Sequence, residues 1–386
     1  MRSPGLLLCS LVVVSAGYAC GSTKGSGFGD GTTNGDPDGG SGGIFAEGGP
    51  GSMPCAPNPA NYEVPGNGCD DNADGKVDNV PTCDTGLAVT GDANAFVNAL
   101  GLCQKGDATH WGVISAAYTQ GYGMTAAPAA GQHGILAKYG SVVKPREGAS
   151  LGVLSSGWAR EFDEASGSTA LFKDNWKTMT GSGAVPPGFP KSAAGCAMLL
   201  PDVHDVISLK LQIKVPANAQ GFQIDFNFHS GEWPEFVCTT FNDGFIAYLT
   251  SSAFNGGKPD NISFDSKNNA VSVNNGFFDR CTPNTKTGCA GFLGSPSTAA
   301  CPGGTAELGG TGFAALTGDG CGDLQQNSSG GATGWLTSHA PVKGGETITL
   351  ELMVWDTGDS KLDSLVLVDN LTWSQGPVTT NTDRPK

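Results

Sequence analysis

Residues 70–78 place oxygen-bearing side chains at alternate positions, a spacing that lets one loop wrap a hard cation. Gly75 stands where such a loop must turn sharply, and the run fits the D-x-[DN]-x-[DN]-G start of a calcium loop. Pro81 occupies the position of the bidentate glutamate of an EF-hand, so this is not an EF-hand. The sequence predicts a weak calcium site, with a solvated acidic turn as the alternative. Its ligands would be the side chains of Asp70, Asn72, Asp74 and Asp78 and the backbone carbonyl of Lys76.

Acidic residues also crowd two later segments, each at the junction of two apolar runs. Acids at this density on strand ends either cap turns or share a cation. Turn capping explains each residue alone, whereas a calcium ion between the segments would explain both together. The first segment holds Glu232, Glu235, Asn242 and Asp243, and the second holds Asp356, Asp359, Asp363 and Asp369. The predicted ligands of this second metal site are Glu232, Glu235, Asp243, Asp356, Asp359 and Asp363.

No catalytic residue is predicted. Ser150 lies in a G-x-S-x-G run, but its flanks have β-structure patterns, and a nucleophile elbow needs a strand followed by a helix. The His residues are scattered without a metal-ligand spacing, and no C-x-x-C pair indicates zinc or redox chemistry. A secreted hydrolase is the weaker alternative, which two carboxylates facing each other in a cleft would favour. Trp233 is the candidate for stacking on a sugar, with core packing as the alternative.

The first 19 residues form an export signal, with Arg2 followed by the short apolar run Leu6–Ala16. Cys20 comes directly after it and resembles the lipobox cysteine of bacterial lipoproteins, which carries a diacylglycerol. Gly17 departs from the leucine usual in that family, so ordinary signal-peptidase cleavage is the alternative. The resemblance implies lipid anchoring at the bacterial outer membrane or cell surface. No other segment is long and apolar enough to predict a transmembrane helix.

The remaining cysteines of this exported chain are even in number, which indicates disulfide bonds. Cys69 and Cys83 bracket the acidic loop, so we predict that they are bonded to each other, and Cys55 to Cys103. The pairing of the other six stays open, although the four between residues 281 and 321 are expected to pair locally. The net charge of −15 and the lack of a basic stripe argue against nucleic acid as a partner.

Alternating apolar and polar residues predict the elements that must position these groups. The pattern is clear in residues 206–215, 222–228, 347–355 and 365–373, and one short helix is expected within residues 92–102. We predict an all-β fold, an antiparallel two-sheet β-sandwich of jelly-roll type. The predicted parts are a signal peptide at 1–19, a lipidated Cys and flexible linker at 20–62, an Asp-rich module at 63–84, the sandwich at 85–376 with a Cys-rich insertion at 281–334, and a disordered tail at 377–386.

Two stretches resemble the choice-of-anchor L domain of bacterial surface proteins. They are GFQIDFNFHSGEWPEFVCTTFNDGFIAYL at 221–249 and VWDTGDSKLDSLVLVDNLTW at 354–373, and residues 87–375 would be covered. The acidic core CDDNADGKVD separately resembles thrombospondin type 3 repeats and the metal-binding motifs of myxobacterial proteins. The first resemblance implies a sandwich displayed on the cell surface without enzymatic activity. We therefore expect a calcium-stabilised adhesion module that binds polysaccharide or another surface protein, or alternatively a purely structural component of the envelope or matrix.

Overall fold

A computed structural model describes residues 55–160, 179–196, 200–274, 276–288, 296–313 and 330–385. The export signal, Cys20 and most of the predicted linker lie outside the described residues, as do Cys289 and Cys321.

The described part contains one α-helix, α1 (Ala93–Ala99), within the predicted range. Asp92 caps it, because the side chain of Asp92 accepts a hydrogen bond from the backbone N–H of Ala95 at 2.9 Å. The helix buries Phe96 against the sandwich, and a β-carbon at Gly152 would overlap the Phe96 ring. The second glycine of the G-x-S-x-G run is therefore required by packing.

Fifteen strands occur in the described residues, and the four strongest sequence patterns correspond to the four longest of them. The strands are β1 (Gly112–Thr119), β2 (His133–Leu136), β3 (Leu151–Ser155), β4 (Val203–Lys214), β5 (Gly221–Ser230), β6 (Gly244–Thr250), β7 (Asp260–Asn261), β8 (Val271–Ser272), β9 (Thr285–Thr287), β10 (Ser297–Ala299), β11 (Gly331–Ala332), β12 (Leu336–Pro341), β13 (Thr347–Thr357), β14 (Ser364–Ser374) and β15 (Asn381–Asp383).

The strands form two antiparallel sheets and a small ribbon of β9 and β10. Sheet I has the order β1-β4-β13-β6-β7, with β8 also paired to β6. Sheet II has the order β15-β12-β5-β14-β3-β2, with β11 also paired to β5. Their apolar faces pack together in the predicted sandwich-like arrangement. Phe226 of sheet II meets Phe245 of sheet I with ring centroids 5.0 Å apart, and burying each ring contributes roughly 1.5–3 kcal/mol.

The disulfide pairing around the Asp-rich module differs from the prediction. Cys55 is bonded to Cys69 and Cys83 to Cys103, with Cα–Cα distances of 5.7 and 5.5 Å. The loop at 70–78 is closed by hydrogen bonds to its own acidic side chains, so its flanking cysteines are free to bond outwards to segments that precede and follow the module. Cys281 is bonded to Cys301, as local pairing predicts, and Cys196 is bonded to Cys238.

Both predicted ends of the ordered region need correction. The prediction places residues 55–62 in the flexible linker, yet Ala60 accepts a backbone hydrogen bond from Ala217 of the sandwich at 2.8 Å. It also makes the tail disordered, but β15 extends sheet II because Thr382 pairs with Ser338 and their hydroxyls lie 2.8 Å apart. Beyond it, Arg384 forms an ion pair with Asp279 at 2.9 Å.

Candidate functional site

The two acidic segments meet at one end of the sandwich because two of the connections between the sheets cross there. β5 of sheet II leads to β6 of sheet I, and β13 of sheet I leads back to β14 of sheet II. In the ladders, Trp355 pairs with Gly244 and Ser364 pairs with Ser230, so the four strand ends are neighbours. The short connections of both crossings therefore bring their carboxylates into one volume.

Three carboxylates in this volume, Glu232, Asp243 and Asp356, form what we call the acidic cluster. Their residues are at most 2% exposed. Asp243 accepts hydrogen bonds from the backbone N–H of Thr357 at 2.9 Å and from the hydroxyl of Ser364 at 2.8 Å. Glu232 accepts one from the backbone N–H of Asp243 at 3.3 Å.

Asp356 is the third buried carboxyl of the acidic cluster. The Ser156 hydroxyl and the Asp243 carboxyl act on it as hydrogen-bond partners, although neither contact has ideal geometry. Burial and the charges of Asp243 and Asp363 nevertheless hold the pKa of Asp356 well above its usual range. The raised pKa favours a protonated carboxyl, and a proton lowers the cost of burying neighbouring acids together.

The other two carboxyls of the acidic cluster are shifted in the same direction. Burial, followed by the charge of Asp243, holds the pKa of Glu232 well above its usual range. Burial raises the pKa of Asp243 to about 8. No Lys, Arg or His among the described residues forms an ion pair with any of the three.

The remaining predicted ligands of the second metal site divide into neighbours and outliers. Asp363 lies beside the cluster, packed where a β-carbon at Gly157 would overlap its carboxylate. Asp359 is at the rim, partly exposed, and accepts a hydrogen bond from the backbone N–H of Lys361 at 3.1 Å. Glu235 is buried, and burial raises its pKa to about 8, but no neighbouring charge contributes to that shift. We therefore leave Glu235 outside the acidic cluster.

Three polar groups at this end of the sandwich are not among the residues that the sequence predicts. Ser156 donates to the backbone carbonyl of Ser364 at 3.2 Å, and Ser364 in turn donates to Asp243. Asp205 adds to the charge around Asp356, and its own carboxylate accepts the backbone N–H groups of residues 180 and 181. Ser156 and Asp205 lie far along the chain from both acidic segments, so only the folded topology brings them here.

The Asp-rich loop at 70–78 has its polar atoms turned inward. Asp70 accepts hydrogen bonds from the backbone N–H groups of Asp74 at 3.0 Å and Gly75 at 2.9 Å. Asn72 also accepts from Asp74, and Asp74 accepts from the backbone N–H of Lys76 at 2.9 Å. Gly75 has φ +85°, a left-handed conformation that favours glycine. The chain thus curls around the side-chain oxygens as a calcium loop does.

Asp78 closes the same loop from its far end. Its carboxylate accepts the backbone N–H of Asn67 at 3.0 Å, and its own N–H donates to buried Glu63 at 2.7 Å. Glu63 is a member of this loop's hydrogen-bond network that the spacing argument missed. Among the residues that the structure describes, no three His, Cys, Asp or Glu side chains converge on a common point as a ready-made metal site, and this holds for both candidate sites.

Two side chains singled out by sequence prove to be structural. Trp233 is buried and stacks on Phe278 with ring centroids 4.5 Å apart and planes 8° apart, so the prediction of an exposed sugar-stacking ring is wrong. The reason is that the turn folds back under the Cys-rich insertion. Ser150 is buried and its hydroxyl donates to the backbone carbonyl of Asp84 at 2.7 Å, so it is not placed as a nucleophile.

Asp369 stands apart from the acidic cluster, although it belongs to the second acidic segment of the sequence. It lies within β14, where it accepts backbone hydrogen bonds from Arg146 and Glu147. Its neighbour Asn370 donates to Asp225 at 2.9 Å, and Arg146 forms an ion pair with Asp225 at 3.2 Å. Burial raises the pKa of Asp369 to about 7 in spite of these donors.

Comparison with known proteins agrees with one resemblance seen in the sequence. The family model of the choice-of-anchor L domain matches residues 200–373, a span that runs from before β4 into β14 and includes both acidic segments. Searches of the curated proteins and of the solved structures gave no match. The matched family is a surface-associated, non-enzymatic one. No helix in the described ranges is long and apolar enough to cross a membrane.

The titration of Asp369 gives a test of its burial. Its pKa of about 7 in the folded chain exceeds the ordinary aspartate value of 3.8, so between about pH 4 and pH 7 the folded state holds a proton that the unfolded state has released. Stability therefore falls as pH rises through this window. Asp369→Asn should remove that contribution. The decrease in unfolding free energy from about pH 4 to about pH 7, measured by urea titration at each pH, should then be smaller than in the wild type by on the order of 2 kcal/mol.

Asp202→Asn, at an exposed position, is the matched control, and its unfolding free energy should depend on pH as that of the wild type does. If the unfolding free energies of Asp369→Asn and the wild type change equally with pH, Asp369 is ionised in the folded chain throughout this range.

Proposed function

We propose that this chain is an exported lipoprotein, tethered through Cys20, that displays a non-enzymatic β-sandwich at the bacterial surface. The observation that carries the proposal is the match of residues 200–373 to a surface-associated family. The acidic cluster supports the non-enzymatic part, because its carboxylates are closed to solvent and no substrate could reach them. A glycosidase would need two carboxylates flanking an accessible bond.

The tether rests on the sequence before the sandwich. A short apolar run ends at Ala19, and the next residue is Cys20. The stretch from 21 to about 54 is rich in Gly, Ser, Asp and Thr, which would let a lipid-anchored sandwich stand clear of the membrane. With Cys20 lipidated, the other exported cysteines stay even in number.

Metabolic labelling with a palmitate analogue tests the tether directly. The wild-type chain should be labelled and remain with the membrane fraction, because an acylated cysteine partitions into lipid. Cys20→Ala should lose the label and be released. Cys9→Ala, which changes a cysteine of the cleaved signal, is the control and should label normally. Equal labelling of Cys20→Ala and the wild type would contradict lipidation at Cys20.

We further propose that the loop at 70–78 binds calcium. Support comes from its ligand spacing, from the positive φ of Gly75, and from a chain that wraps inward around Asp70 and Asp74. Binding would order a module that has little apolar core of its own. The absent glutamate at the twelfth position predicts an affinity in the extracellular range, roughly 10⁻⁴–10⁻³ M.

Limited proteolysis with and without calcium measures this effect. Calcium at millimolar concentration should slow cleavage within residues 63–84, and magnesium should do so poorly because it demands a smaller octahedron. Asp74→Ala should abolish the protection and leave the sandwich folded. Asp107→Ala, an exposed acid remote from the loop, should behave as the wild type. Protection that survives Asp74→Ala, or none in the wild type, would refute the site.

A groove between the Asp-rich module and the sandwich supports a binding role over a purely structural one. It encloses about 460 Å³ and is lined by Tyr62, Trp111 and Trp373, with Glu147 and Gln104 among the polar neighbours. The two indole rings meet edge to face at 6.1 Å. Aromatic faces beside amide and carboxylate oxygens suit the ring and hydroxyls of a sugar, so polysaccharide is the proposed ligand class and this groove takes the place of Trp233.

A glycan array probed with the full chain tests the groove. Trp111→Ala should weaken any array signal about fivefold, since an aromatic contact is worth about 1 kcal/mol beyond its area. Tyr122→Ala removes an aromatic ring from the outer face of sheet I and should leave the signal unchanged. If the wild type binds no glycan on the array, the structural role becomes the better account.

A further inference from the structure

The groove between the Asp-rich module and the sandwich carries negative charge without a counter-charge. Glu63 and Glu147 are among its lining residues, and none of the described residues that line it is a Lys, Arg or His. Glu63 is already engaged, because its carboxylate accepts the backbone N–H groups of Asp78 at 2.7 Å and Asn72 at 3.4 Å. Glu147 is therefore the acid that remains to meet a ligand.

The backbone holds Glu147 in the wall of the groove. Its N–H donates to the carboxylate of Asp369 at 3.3 Å, and its own carboxylate lies over Gly101, 3.2 Å from where a β-carbon would be. Within the described part of the chain, that carboxylate has neither a hydrogen bond nor an ion pair. Burial raises the pKa of Glu147, the charge of Asp84 raises it further, and no described basic group opposes these effects. A positively charged ligand would supply the missing partner.

Three aromatic rings line the same groove, those of Tyr62, Trp111 and Trp373. The planes of the two indole rings are 81° apart, so these rings form two walls at nearly a right angle. The hydroxyl of Tyr62 donates to the backbone carbonyl of Trp373 at 3.3 Å, which fixes the phenol ring as a further wall. The faces of such rings attract cations. An ammonium group suits this lining, because its charge is attracted to the rings and its N–H groups donate to a carboxylate.

Building on the proposed sugar-binding role of this groove, we propose that its ligand is a cationic polysaccharide, one whose sugar units carry free amino groups. The ammonium group of one sugar would pair with Glu147, and the sugar ring would lie against an indole ring. Gln104 and Asn370 in the lining supply amides for the hydroxyl groups. Polysaccharides that carry carboxylates or sulfates are disfavoured, because the groove and the chain as a whole, with a net charge of −15, repel them.

The same charge would distinguish two forms of one polysaccharide. An N-acetylated sugar has the same ring as the free amino sugar, but it has a neutral amide in place of the ammonium group. Its binding would remove the Glu147 carboxylate from water without giving it a cationic partner, which costs affinity. The groove should therefore select the form with the free amine.

Calorimetric titration of the full chain with glucosamine oligomers and with N-acetylglucosamine oligomers of equal length tests this selectivity. At about pH 6 an ordinary amine is protonated and an ordinary carboxyl is ionised. The glucosamine oligomer should bind about tenfold more tightly than its N-acetylated form. Glu147→Gln, which removes the charge and keeps the size of the side chain, should bind both forms equally. Asp202→Asn removes an exposed negative charge at the opposite end of the sandwich and should keep the tenfold preference.

Equal affinity of the wild type for the two oligomers, or a preference that survives Glu147→Gln, would overturn the cationic ligand and leave the broader polysaccharide proposal standing. A preference that Asp202→Asn also abolishes would assign the effect to net charge and overturn it as well. Absence of binding to any glycan on the array would instead end both proposals. Should Glu147→Gln not fold, the two oligomers on the wild type decide alone.

Other occupants of the groove are separate outcomes of the same test. Binding of the wild type to phosphatidylcholine vesicles that Trp111→Ala abolishes would place a lipid headgroup in the groove. A dimer in analytical ultracentrifugation that Trp111→Ala abolishes would place a second copy of the chain there. Either result would overturn the cationic polysaccharide.

Discussion

The packing of two apolar sheet faces is the constraint on which the rest of this structure depends. Phe226 and Phe245 can meet across the interior only if the chain changes sheets between β5 and β6. The same requirement makes the chain return between β13 and β14 at that end of the sandwich. The burial of apolar side chains thereby brings carboxyls of both crossings together at that end. The free energy gained from the buried apolar faces offsets the cost of removing these carboxyls from water.

The sandwich could be predicted from sequence because its strongest signals are local. Period-two patterns mark β4, β5, β13 and β14, and an N-capping Asp92 marks α1. The same reasoning fails on the outer face of sheet II. Asp225, Asn227 and His229 alternate with the apolar residues of β5 and should face solvent, yet all three are buried. Irregular segments cover this face, and the rings of Tyr139 and Phe313 in those segments each lie 5.3 Å from the His229 ring, centroid to centroid. Irregular segments have no sequence periodicity, so the sequence pattern could not predict that they cover this face.

The candidate site was predictable in its residue types and not in its contacts. Glu232, Asp243 and Asp356 could be identified from the sequence, because acidic residues that cluster at the ends of predicted strands are easy to recognise. Spacing could not show that Trp233 turns inward or that Glu235 lies apart, since both depend on which segment covers the turn. The disulfide prediction around this loop was wrong for a similar reason. Two cysteines that bracket a loop look like a pair, but this loop is closed by its own hydrogen bonds and the cysteines bond to other segments.

The central consequence of this packing is the burial of acidic groups at one end of the sandwich. Glu232, Asp243 and Asp356 all have raised pKa values there, because the apolar sheet faces bring two crossings of the chain together and leave these carboxyls buried. Carbon-13 NMR of the Asp243 side-chain carboxyl across a pH titration tests this claim most directly. We expect that carboxyl to titrate with a pKa of about 8. A pKa of about 4, as for an aspartate in water, would contradict it.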